Sequence, residues 1–210
     1  MTRARYPLGV VAGAFAPDPP ARASERARDL GFDFIDTHID VDPSTLALPE
    51  GCPIAQRPVP RFCMALPRRT WEHTVESFRA APGALLEPAA RSVVNSNDKA
   101  RAICSEVPGL RLLLDTGHVA DWGGDPVELL DLAGHIQLRQ GRPGDAQLHV
   151  DDPTGTVDFA AVLARLDALG YQGMLSVEHF DIPGMGWPLD DPVAWSVDLH
   201  VHVSGLMGRW

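Results

Sequence analysis

The chain has 210 residues, enough for one well-buried core and short for two. Hydrophobic residues make up 45% and charged residues 22%, an ordinary globular composition that argues against disorder. A net charge of −10 argues against a nucleic-acid partner, which would need a basic footprint against phosphate, and no apolar run is long enough to span a bilayer.

Taken in order, hydrophobic pattern and punctuation give a repeated strand-then-helix sequence. Leu8 to Gly13 reads as a strand rather than a signal peptide, because the apolar run breaks at Pro17, Pro19 and Pro20. Ala21 to Leu30 reads as a helix stopped by Gly31, and Phe32 to His38 as a strand rich in aromatic residues. Val41 to Pro60 holds five prolines and reads as a loop. Arg61 to Leu66 is a short strand, and Thr70 to Ala80 a helix with Thr70 as its N-cap. Gly83 to Glu87 is a strand, and Asn97 to Glu106 a helix with Asn97 as candidate cap. Leu110 to Asp115 is an almost unbroken apolar strand, the kind buried on both faces of a parallel sheet. Pro126 to Leu132 is a short helix and Gly134 to Arg139 a strand. Asp158 to Leu169 carries Phe159, Val162, Leu163, Leu166 and Leu169 on one helical stripe, ended by Gly170. Met174 to Glu178 is the last strand and Asp191 to Leu206 the closing helix. This alternation points to an α/β fold, residues 1–210 forming one domain of about seven parallel strands. Pattern alone leaves a barrel and a doubly wound sheet both open.

Polar residues at strand ends carry the chemical signal. Glu87, Asp115 and Glu178 each close an apolar strand, and in parallel α/β folds these carboxyl ends form the active-site face. His135, Gln137 and Arg139 alternate along one strand and so share a face. Three carboxylates converging on one mouth would repel one another, and a divalent cation relieves that repulsion. Oxygen donors with one amide suit Mg²⁺ or Mn²⁺, and a nearby imidazole also admits Co²⁺, Fe²⁺ or Zn²⁺. The bland alternative is that each acid caps a helix or faces solvent; Asp115-Thr116-Gly117-His118 also reads as a turn. His38, at the end of the second strand, is placed equally by a pocket and by a loop. Trp122 is a candidate pocket cover or a packing residue. Arg139 and Arg142 are candidate carboxylate or phosphate grips, or surface arginines. His179 reads as structural, His73, His200 and His202 as surface or packing residues. Cys52, Cys63 and Cys104 have no metal-ligand spacing, which suggests a reduced cytoplasmic compartment.

The same residues resemble the xylose-isomerase-like superfamily of sugar isomerases, epimerases and dehydratases. The resemblance runs through Leu86-Glu87-Pro88, Leu114-Asp115-Thr116-Gly117-His118, Gly134-His135-Ile136-Gln137, Gly155-Thr156-Val157-Asp158-Phe159 and Gly170-Tyr171-Gln172-Gly173, leading to Val177-Glu178. It implies a shortened TIM-type (β/α) barrel with one divalent metal, Glu87, Asp115 and Glu178 matching carboxylate ligands. Gln137 falls where most members have a histidine ligand, and looks like the hydroxypyruvate isomerase branch, whose strand also reads His-Ile-Gln. His118 matches a histidine that contacts substrate, and Arg139 and Arg142 lie near where members hold substrate oxygens. Before Glu87 the chain is too short for the strands that members place there, so one βα unit is expected to be missing. The resulting edge needs a cover, either the Val41–Pro60 loop or a second copy in a homodimer.

The expected reaction is isomerisation or epimerisation of a small hydroxy-carbonyl substrate through a metal-stabilised enediolate. Glu87 and Glu178 are the candidate bases, His118 the proton carrier or orienting group, and His135 a possible substrate contact. A lyase of the inosose-dehydratase type uses the same site if a hydroxyl leaves. A non-catalytic relative would have no use for converging carboxylates, and an endonuclease IV relative would need more histidines and a basic face.

Overall fold

A computed structural model describes residues 6–37, 62–64, 70–181 and 189–208. Val41–Pro60 and His38 lie outside the described residues, as do Cys52 and the ends of the Arg61–Leu66 strand. The chain divides into two compact units.

The first unit contains β1 (Leu8–Val11), α1 (Pro20–Asp29), β2 (Ile35–Asp36), β9 (Leu175–Val177) and α6 (Pro192–Leu206). Its strands run parallel in the order β2-β1-β9, with Leu8 opposite Leu175 and Val11 opposite Asp36. The expected strand from Phe32 shrinks to two residues because the Asp33 side chain takes the place of a backbone acceptor for Leu8. The Asp33 backbone N–H donates to Leu8 O, and its carboxylate accepts from Leu8 N at 2.7 Å. Phe34 then packs over β1, where a Cβ on Gly9 would sit 2.5 Å from the Phe34 ring. Gly9 is therefore fixed by the close approach of this ring.

The second unit contains β3 (Phe62–Met64), α2 (Trp71–Arg79), β4 (Leu85–Glu87), α3 (Asn97–Glu106), β5 (Arg111–Asp115), α4 (Thr116–Asp121), β6 (Ala133–Leu138) and α5 (Phe159–Leu169). Its strands are parallel in the order β3-β4-β5-β6, with Cys63 opposite Leu86, Leu86 opposite Leu112 and Asp115 opposite Gln137. Leu86, Leu112 and Leu114 are completely buried, as the apolar runs of β4 and β5 predict, and so is Ile136 of β6.

Caps explain where the helices begin. The Thr70 hydroxyl accepts from His73 N and starts α2; Asp158 accepts from Ala161 N and starts α5, which Gly170 ends at φ 66°. For α3 the cap is Ser96, not Asn97. Ser96 is extended and accepts from Lys99 N, while the Asn97 amide is committed elsewhere, donating to Asp125 O and Glu128 and accepting from the Trp122 indole. The short helix α4 follows Asp115 directly, and an antiparallel hairpin, β7 (Gln140–Arg142) and β8 (Asp145–Leu148), follows β6. The hairpin turns at Pro143-Gly144, with Gly144 at φ 85°, a turn signal inside what reads as a continuous loop. Pro126–Leu132 is helical, in the tighter 3₁₀ form. No described helix is long and apolar enough to cross a membrane.

Candidate metal centre and active site

Glu87 is the last residue of β4 and Asp115 the last of β5, so two adjacent parallel strands deliver carboxylates at their carboxyl ends. His118 stands on the first turn of α4. Each of the three offers a ligand atom within 4.8 Å of the other two, and all three residues are buried. His118 Nε2 lies 3.6 Å from Glu87 Oε1.

The local sequence Asp115-Thr116-Gly117-His118 builds this geometry residue by residue. Asp115 Oδ1 accepts from His118 N at 3.0 Å, so the carboxylate that faces the cluster also caps the helix carrying His118. Thr116 Oγ1 accepts from Arg139 N at 2.9 Å and donates to Arg139 O at 2.7 Å, tying the helix to the end of β6. At Gly117 a Cβ would lie 2.1 Å from Ala146 O and 3.0 Å from Arg139 Cγ, so only glycine lets hairpin and arginine come this close. Thr116 and Gly117 supply packing and hydrogen bonds to the motif rather than ligand atoms.

Electrostatics mark the cluster out. Burial, with the Asp115 charge adding to it, pushes the Glu87 carboxyl up to about 8, against a smaller opposing effect of Arg139. Burial pulls the His118 imidazole down to about 4, partly opposed by Asp115. Near neutral pH Glu87 therefore holds a proton and His118 is an uncharged imidazole with a lone pair to offer.

Arg139 directly follows β6 and is 1% exposed. Its guanidinium forks onto Asp115, Nη2 pairing with Oδ2 and Nε lying 3.5 Å from Oδ1, and Nη1 is 3.4 Å from Gln147 Oε1. Carboxylate crowding is thus relieved in part by an internal cation. Arg139 points at the cluster; Arg142, on the hairpin, is partly exposed and donates to Thr154 Oγ1 at 2.6 Å. Gln137 and His135 are buried on β6, Gln137 as the register partner of Asp115 and His135 opposite Leu113. Trp122 caps the carboxyl end of α4 and donates its indole N–H to Asn97 Oδ1 at 3.1 Å.

Glu178 belongs to the other unit, immediately after β9, and is buried. His179, next to it, lies 3.4 Å from Ser196 Oγ and meets the Trp195 ring edge-on, a packing role. His200 packs against Phe32 with ring centroids 4.6 Å apart.

A family model described as the xylose isomerase-like TIM barrel matches residues 21–199. The chain belongs to this family. Among solved structures of the same fold are L-ribulose 3-epimerase (TM-score 0.67, 17% identity, covering 100% of this chain and 95% of that one) and 3-keto-D-glucoside 4-epimerase YcjR from E. coli (TM-score 0.66, 16% identity, covering 96% and 100%). A D-allulose 3-epimerase from Methylomonas sp. superposes with TM-score 0.64 at 18% identity, covering 96% of this chain and 99% of that one. In sequence, the chain is 33% identical over 113 residues to the rhizopine catabolism protein MocC of Rhizobium meliloti. That match covers 44% of this chain and only 34% of the relative's length.

The donor set fits the divalent metal that the family resemblance implies. Two carboxylate oxygens and a neutral imidazole nitrogen within 4.8 Å of one another make a mixed O/N site for Mg²⁺, Mn²⁺, Co²⁺, Fe²⁺ or Zn²⁺.

Proposed function

We propose that this chain is a divalent-metal-dependent isomerase or epimerase of a small sugar-like or keto-acid substrate carrying a hydroxyl beside its carbonyl. The observation that supports it is the buried convergence of Glu87, Asp115 and His118 at the carboxyl ends of adjacent parallel strands. Bound there, a divalent ion would polarise the carbonyl and adjacent hydroxyl and stabilise the enediolate left by proton loss. Glu87 and Asp115 would hold it, with His118 and Gln137 beside them. Glu178 as further ligand and second base rests on the family resemblance of Val177-Glu178. Glu87 removes or returns the proton at carbon. His118, uncharged at neutral pH, moves a proton between the substrate oxygens or orients them. Arg139, the cation that reaches the cluster, orients an anionic or oxygen-rich end of the substrate. We further propose a one-domain protein working in the cytoplasm on a small molecule and not on nucleic acid or membrane, with either the Val41–Pro60 segment or a second copy in a homodimer covering the open sheet edge.

A dehydratase of the inosose-dehydratase type is the second reading, supported by the same buried cluster, because the carbanion it would stabilise can also expel a hydroxyl on the neighbouring carbon. One experiment addresses both. Ketoses, inososes and keto acids are incubated in D₂O with Mg²⁺, Mn²⁺ or Co²⁺ and followed by NMR. Deuterium entering carbon without loss of water supports the isomerase or epimerase reading, and deuterium with loss of water the dehydratase. No exchange with any substrate at any metal rejects both.

A further inference from the structure

Metal-binding carboxylates are expected to be short of positive charge, yet Asp115 already has a cation forked onto it. The guanidinium that supplies it is fully buried and anchored at several points. Its backbone is held in both directions by Thr116 Oγ1, its stem passes over the Cα of Gly117 where no side chain fits, and its second nitrogen approaches Gln147 Oε1 on the hairpin. A side chain placed this way is part of the site's construction. A buried guanidinium keeps its charge because it does not deprotonate within proteins, and it pairs with a carboxylate best through two parallel N–H donors. The arrangement here is of that form, with Nη2 on Oδ2 and Nε toward Oδ1.

We infer that Arg139 is an internal counter-cation that competes with the divalent ion for Asp115 and sets the site's metal affinity. This rests on the metal reading proposed above. Two positive groups cannot both keep their full interaction with one buried carboxylate, since like charges a few ångströms apart repel strongly where water is excluded. Loading the site therefore requires the guanidinium to give up or share Asp115. The gain is that the unloaded protein does not bury an uncompensated carboxylate, a strongly destabilising state. The cost is weaker metal binding than the same donors would give without the arginine.

The test is calorimetric titration of the full chain with Mn²⁺ and with Mg²⁺ at pH 8, comparing wild type with Arg139→Gln and Arg139→Lys. Folding of each is checked by near-ultraviolet circular dichroism. The expected result is tighter binding by about tenfold or more in Arg139→Gln, the scale set by removing one charge from a partly buried site, with Arg139→Lys within a few-fold of wild type. If wild type binds metal and folded Arg139→Gln binds no more tightly, the inference is overturned and the metal reading stands. If neither binds either ion, both are overturned. Should Arg139→Gln fail to fold, the wild type decides alone. In ¹⁵N spectra an arginine Nε–H signal protected from exchange with water should shift as Mg²⁺ saturates the site, and a spectrum in which none moves overturns the inference.

Discussion

In the unit built from β1, β2, β9 and α6, the acid that ends β2 and the histidine that follows β9 meet neutral neighbours. The Ser176 hydroxyl donates to the Asp36 carboxylate, and His179 lies between Ser196 and the edge of Trp195. In the unit of β3 to β8, the corresponding ends gather Glu87, Asp115 and His118, and burial drives the first and last far from their usual pKa values. Both units present an apolar strand finishing on an acid. The difference is whether a neighbouring side chain absorbs the polarity through a neutral hydroxyl or leaves charged and titratable groups in mutual contact. A buried carboxylate with a hydroxyl donor is a structural pair; a buried carboxylate facing another acid and an imidazole is poised for proton transfer or metal.

The contrast breaks most sharply in activity. Glu87→Gln should cut substrate deuterium exchange by about a thousandfold, the range for losing a positioned acid–base group, whereas Asp36→Asn should leave it within about tenfold. Equal losses in the two variants would show that the units do not differ in this way.

Next in size is the packing that assembles the second unit's cluster. Gly117→Ala forces a methyl toward Ala146 O and should lower unfolding free energy by about 3 kcal/mol in urea titration, the upper range for overpacking a tight site. An unchanged midpoint would mean that the hairpin yields freely. In the first unit, Ser176→Ala should lower stability by about 1–2 kcal/mol, by removing the donor that Asp36 accepts, with metal content unchanged by elemental analysis. Loss of metal in that variant would give Asp36 and Ser176 a part in the site.

The smallest effect is a pH trend in metal-free protein. Glu87, raised to about 8, binds a proton more tightly when folded, so its contribution is lost as pH climbs through the folded pKa. His118, lowered to about 4, works in the opposite sense, its contribution being lost as pH falls from 6.5 toward 4. Between pH 4.5 and 6.5 the two trends oppose each other, and between 6.5 and 8 only Glu87 acts. The urea midpoint should therefore decline from pH 6.5 to 8, and Glu87→Gln should flatten that decline. A midpoint that rises over this interval in wild type would contradict the assignment.

Each of the seven strands expected from the sequence has a counterpart among the described residues, and so do the long helices. They were legible because β5 is a near-continuous apolar run, β6 alternates polar and apolar residues, and α5 has both its stripe and its Asp158 and Gly170 signals. The site was legible through the Asp115-Thr116-Gly117-His118 string, where four neighbours fix one another's positions. What stayed hidden depended on partners remote in the chain. Asp115 and Arg139 are 24 residues apart, and nothing in either neighbourhood announces the fork between them. Asn97 has the composition of a cap, but Trp122, Asp125 and Glu128 claim its amide, and that competition exists only in the folded protein.

Asp115 has one further consequence. Because Oδ1 is engaged by the His118 amide and Oδ2 by Arg139, the carboxylate plane cannot spin about its Cβ–Cγ bond. The rotational freedom that a surface aspartate would surrender on meeting a ligand has already been surrendered during folding. An arriving ion thus first meets a carboxylate of fixed bearing, and the His118 amide still holds Oδ1 when Arg139 yields Oδ2.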